Sequence, residues 1–150
     1  MISSQIIDIL NFYHDKYNRK DFIKDDPISI PHRYTKNQDI EIAGLFAATL
    51  AWGNRTSIIN SCNKLMTLMD DQPYDFILNH SHKELKPFET FVHRTFNATD
   101  LLYFIAFLRS HYSKQDSLEN LFLDKNIETG LTQFKQAFFS LTDFPARTQK

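Results

Sequence analysis

The stretch Asn97-Ala98-Thr99-Asp100-Leu101-Leu102-Tyr103-Phe104-Ile105-Ala106-Phe107-Leu108-Arg109-Ser110-His111-Tyr112 decides the fold class. Asn97 with Asp100 reads as a helix cap with an acidic first turn. Behind that cap, residues 101–112 are apolar nearly all round, which marks a helix enclosed by others. Working outward, the apolar spacing stays helical. Ile2, Ile6, Ile9, Leu10, Tyr13 and Tyr17 form one stripe at steps of three and four. Asn37 or Asp39 can cap a helix whose buried face is Ile40, Ala43, Phe46, Ala47 and Leu50. Trp52-Gly53-Asn54 breaks it, and a further helix starts near Arg55 or Thr56, with Ile58, Ile59, Cys62, Leu65, Met66 and Met69 on its apolar side.

Asp71 precedes Pro73, a good first-turn residue, so a short helix is expected over 74–79. Residues 80–95 read as irregular or as one short helix near Glu84. No Asn-Gly or Asp-Gly pair signals a hairpin. Ser117 can cap 118–123, and a last helix over 128–141 places Leu131, Phe134, Phe138 and Leu141 on one face. The expectation is an all-α chain of roughly six to eight helices in an orthogonal array, one domain over 1–150 with no internal linker.

Composition narrows the function classes. The 150 residues are 42% apolar and 23% charged, enough for a packed core and too apolar for disorder. Seventeen basic against 18 acidic side chains leave a net charge of -1, which excludes a strongly basic nucleic-acid tail, although residues 146–150 are locally basic. A single Cys excludes an intramolecular disulfide framework and a cysteine zinc site. The start lacks a signal-peptide pattern, and the longest apolar runs are too short to span a bilayer, so a soluble, cytoplasmic chain is expected.

Few motifs carry chemistry. His14-Asp15 has no second His upstream, as a metal-dependent phosphohydrolase would need. His80 and His82 read as a solvated loop because further ligands are not evident. Cys62 falls on an apolar helix face and reads as a buried thiol. Gly44, Gly53 and Gly130 are too far apart for a phosphate-binding loop, and no nucleophile elbow surrounds a Ser. No catalytic residue, cofactor or metal is therefore expected.

Two features point to an anion. Trp52–Lys64 is a tight turn followed by a helix N-terminus, where free amides, Arg55 and the polar side chains of Asn54, Thr56 and Ser57 would favour negative charge. Trp52 could stack on a base or close the core under the turn. A helix–turn–helix reading fits poorly, because the first helix is almost wholly apolar. In addition, His32-Arg33 stands seven residues before Asp39, and His93-Arg94 seven before Asp100. Two accounts fit that recurrence. Each Arg pairs with the first-turn Asp and fixes the chain's approach to the helix, or two basic loops lie side by side and bind an anion.

Pro31-His32-Arg33-Tyr34, Asp39-Ile40-Glu41-Ile42-Ala43-Gly44-Leu45, Ala47-Ala48-Thr49-Leu50-Ala51-Trp52-Gly53-Asn54-Arg55 and His93-Arg94-Thr95-Phe96-Asn97-Ala98-Thr99-Asp100-Leu101 resemble an uncharacterised bacterial family, a domain of unknown function. The resemblance covers most of the chain. That family's fold is distantly similar to the helix-hairpin-helix DNA glycosylases, in which a helix leads into a short polar turn that contacts DNA beside the flipped base. By that likeness residues 39–50, the turn 52–55 and residues 56–69 occupy this place, with Gly53-Asn54-Arg55 standing where a Gln-containing string is usual. The resemblance implies DNA as partner, with Arg33, Gly53, Asn54, Arg55, Thr56 and Arg94 as the contact residues. It also implies that the chain is the N-terminal part of a longer, glycosylase-like repair protein. A phosphate-meeting hairpin needs a Gly-x-Gly pattern, which these glycines do not supply. Phe134, Phe138 and Leu141, close to the end, suggest a helix-packing partner. The alternative is a helical interaction module without chemistry.

Overall fold

The computed structural model describes residues 3–123 and 126–142. In chain order the elements are α1 (Ser4–Tyr17), α2 (Lys20–Ile23), α3 (Asn37–Thr49), α4 (Arg55–Leu68), α5 (Pro73–Asn79), strands β1 (Val92–His93) and β2 (Phe96–Asn97), α6 (Ala98–Tyr112) and α7 (Ile127–Phe138). Short 3-10 segments fill Pro27–Ser29, Pro31–Arg33, His82–Thr90 and Glu119–Leu121. The fold is all-α, and among the described residues the antiparallel pair of two-residue strands is the exception, with Val92 facing Asn97 and His93 facing Phe96. No helix among the described residues is long and apolar enough to cross a membrane.

Helix α6 is central. The Asn97 carboxamide accepts the Thr99 and Asp100 amides, and the Asp100 carboxylate accepts the Asn97 amide at 3.0 Å, a reciprocal cap. Leu101, Tyr103, Ile105, Phe107, Leu108 and Tyr112 are all buried, as its all-round apolarity requires. Helix α3 packs Ala43, Phe46, Ala47 and Leu50 into the same core, and α4 adds Ile58, Cys62, Leu65, Met66 and Met69. At residue 40 the expected face is wrong. Ile42 is fully buried whereas Ile40 is exposed, because the helix turns the 42–43–46–50 side to the core.

Polar groups lock the helices at two points. Asp39 does not cap its own helix, which starts behind Lys36; its carboxylate instead accepts the Tyr74 amide at 2.8 Å and closes the first turn of α5. Glu41 joins α3 to α6 and to the segment beyond it. Its carboxylate accepts the Tyr112 hydroxyl at 2.7 Å, the Leu118 amide at 2.9 Å and the Ser117 hydroxyl. Burial, and then the Glu41 carboxylate, push the Tyr112 phenol far above its ordinary value.

Three further expectations change. Residues 92–97 form a tight hairpin with no Gly at its turn; Arg94 itself takes the left-handed conformation, φ 56°. Ser117 caps only a short 3-10 turn, accepting the Glu119 amide at 3.0 Å. Phe134, Phe138 and Leu141 are not an open face. Phe138 is buried against Tyr103, Phe104 and Phe107, Phe134 stacks on Phe122, and Leu141 packs on the same core. Their partner is the chain itself, because α7 folds back across α6; the exposed apolar residues of α7 are Ile127 and Leu131. Ile2 and the basic stretch 146–150 lie outside the described residues.

Candidate functional site

The site grows from the break between α3 and α4. The chain leaves α3 at Leu50 and turns at Gly53, whose φ of 117° suits glycine alone. Asn54 then caps α4 by accepting the Thr56 amide at 2.9 Å and the Ser57 amide at 3.4 Å. Two of the amides expected to be free for an anion are therefore already taken by the cap. Thr56 lies exposed in that first turn.

Arg94, 41 residues further along, comes to the same place. Its guanidinium carbon sits 5.0 Å from the centre of the Trp52 ring. A Cβ on Gly53 would stand 2.9 Å from Arg94 Nη1, so the missing side chain is what lets the guanidinium lie there. Beneath it, the His93 ring meets Trp52 edge-on with centroids 6.3 Å apart, and His93 Nδ1 is 2.9 Å from Ser61 Oγ of α4. His93 is buried, and its Nε2 has no protein partner. Neither Ser61 nor the burial of His93 was expected from the sequence. The recurring His-Arg pair was the available signal, and it pointed to Arg rather than to His.

Arg55 faces the other way from the turn. Its guanidinium lies over the Phe22 ring at 5.3 Å and 3.7 Å from the Asp26 carboxylate. Asp26, Arg55 and Gly53 border a cavity of about 480 Å³ floored by Gly44, Ala47 and Ala48 of α3 and by Ala51 just after it. Arg33 is exposed, and its Nε reaches the Ile30 carbonyl at 3.5 Å. Burial pushes the Cys62 thiol up to about 11, and the Arg33 charge partly opposes that rise. Neither Arg33–Asp39 nor Arg94–Asp100 forms an ion pair, since each Asp is used on a backbone amide. The pairing account of the recurrence is thus corrected. The structure brings Gly53, Arg94 and Trp52 together, with Asn54 and Thr56 beside them, and sets Arg55 and Arg33 apart.

The other candidates separate. His80 is buried rather than solvated, with Nδ1 2.8 Å from the Phe76 carbonyl and Nε2 3.4 Å from Arg109 Nη1. His82, in contrast, is exposed. His14 lies on the exposed α1 beside Asp15. No group of three His, Cys, Asp or Glu that could hold a metal occurs among the described residues.

No curated protein and no solved structure matches the chain. Residues 26–150, from the loop before α3 onward, match the family described as a protein of unknown function, DUF2400, and the chain belongs to that family.

Proposed function

We propose that this chain is a nucleic-acid-associated helical domain, the N-terminal part of a DNA-glycosylase-like repair protein, and that it contributes binding rather than a chemical step. The observation that carries the reading is the Arg94 guanidinium held over Trp52 at the Gly53 turn. An aromatic face paired with a cation is what unstacked bases and their phosphates use when sequence is not read. Trp52 is partly exposed, so the ring is within reach of a ligand. Asn54 and Thr56 add hydrogen-bonding side chains at the rim. The acidic residues Asp70, Asp71 and Asp75 do not argue against this place. They follow the far end of α4, roughly 20 Å away along a 14-residue helix, more than twice the screening length at physiological salt.

Trp52 is the chain's one tryptophan, so its fluorescence reports this site alone. Titrating the protein with a duplex containing an abasic site, at low ionic strength, is expected to quench that fluorescence and to give an affinity that falls as salt rises. In Arg94→Ala the affinity drops about tenfold and the salt dependence becomes shallower. Fluorescence and anisotropy that stay unchanged at low salt would remove the reading.

A further inference from the structure

Helix α1 carries an apolar surface that the other described residues leave uncovered. Not one of its residues is buried. Ile6, Ile9, Leu10, Phe12, Tyr13 and Tyr17 are each between 45% and 62% exposed. At the helical repeat they share one broad face, with Asp8, Asn11 and Asp15 opposite. The aromatic rings are already arranged among themselves. Tyr13 and Tyr17 stack with centroids 5.8 Å apart, and Tyr17 meets Phe22 edge-on at 5.5 Å. A 14-residue helix is marginal in water without tertiary packing, so this element needs a cover.

We infer that the cover is a second copy of this chain, with the α1 stripe of each packed on that of the other about a two-fold axis near Leu10 and Tyr13. Area supports this occupant. With about half of each side chain exposed, the stripe offers on the order of 600 to 700 Å², at the upper end of what a monomer leaves open. That is close to the roughly 800 Å² per partner of a stable pair. Charge supports it as well. A chain of net charge -1 hardly repels its own copy. The back of the stripe carries Asp8 and Asp15, and the helix's Lys16 lies over the Tyr13 and Tyr17 rings, so two carboxylates against one ammonium give no net attraction to an anionic lipid surface or to a phosphate backbone. The stripe also suits itself. Ile6 lies one turn before Leu10 and Tyr17 one turn after Tyr13, so an antiparallel pair sets Ile6 against Tyr17 of the second copy at both ends. That arrangement keeps the two Lys16 ammonium groups apart and opposes the helix dipoles.

The test uses the full 150-residue chain in sedimentation velocity across the micromolar range, without DNA, so its outcome is separate from the nucleic-acid reading. The expected mass rises to twice the 17.7 kDa of one chain. In the double variant Leu10→Asp with Tyr13→Asp the dissociation constant weakens by about 100-fold or more, while the far-ultraviolet spectrum of the remaining helices and the unfolding midpoint of the monomer stay as they were. Leu131→Asp, on the exposed side of α7, leaves the dimer intact. A wild-type chain that stays monomeric throughout, or a double variant that pairs as wild type does, overturns the proposal. So does a monomer that floats with phosphatidylcholine–phosphatidylserine vesicles through α1.

Discussion

Helices α1 and α6 are nearly equal in length, 14 and 15 residues, and both read as apolar. One buries nothing and the other is the centre of the core. Apolar content therefore says that a helix seeks a partner, without saying whether the partner lies in the same chain. What separates the two is arrangement. In α6 the apolar residues run all round, so neighbours are needed on every side, and α3, α5, α7 and the 82–90 segment supply them. In α1 most of them keep to one stripe, with Ile7 on the other side beside Asn11, so one flat partner can cover the greater part. α1 and α2 also precede the span that matches the family.

The sharpest way to break the comparison is to make one truncation in α6. Leu108→Ala removes a fully buried side chain from the middle of the core and should cost about 3 to 5 kcal/mol in denaturant unfolding. A loss below about 1 kcal/mol would mean that α6 is not the centre its burial indicates.

Glu41→Ala comes next, at about 2 to 3 kcal/mol, because the Tyr112 hydroxyl and the Leu118 amide both lose their acceptor. Its pH dependence sharpens the point. The Tyr112 phenol is raised in the folded state, first by burial and then by Glu41. Its neutral form is thus favoured by folding, and the associated stability is complete below the ordinary phenol value of 10.0 and is lost as pH rises above it. Denaturation measured across pH 9 to 11, about the unperturbed phenol value, should show that alkaline loss in the wild type and a smaller one in Tyr112→Phe.

Gly53→Ala is expected to cost about 1 to 2 kcal/mol, since φ 117° is strained for any side chain. The new Cβ also displaces Arg94 from Trp52. A shifted Trp52 emission maximum with the rest of the fold intact would show the two effects together, whereas an unchanged spectrum would mean that the guanidinium does not depend on this glycine.

The difference in legibility follows the range of the forces involved. Helices α3, α4 and α6 were readable because their apolar spacing, the cap at Asn97 and the break at Gly53 are local, whereas the cap at Asn54 emerged only from the structure. The 92–97 hairpin was not, because Arg94 rather than Gly or Asn holds its left-handed turn. Asp39 looked like a cap and is one, but for α5, an interaction across 35 residues that periodicity cannot register. The same holds for the site. Gly53, Asn54 and Thr56 stand together by sequence, whereas the arrival of Arg94 over Trp52 depends on how the hairpin packs on α4. Phe134 and Phe138 show the converse error: an apolar face near the last described residues was assigned to an outside partner when α6 was close enough to take it.

The smallest expected effect is the other half of the comparison. Leu10→Ala deletes the same atoms in α1 that Leu108→Ala deletes in α6. In a dilute, monomeric sample it should change the unfolding free energy by less than about 0.5 kcal/mol, because no contact with the core is lost and Ala is as good a helix former. Raising the protein concentration separates two kinds of apolar helix. For α6 the cost of truncation is independent of concentration. For α1 a cost should emerge as copies pair, since binding to the folded state alone adds stability by mass action. A Leu10→Ala penalty that is large when dilute and flat with concentration would place α1 against its own chain after all, and would make the two helices alike.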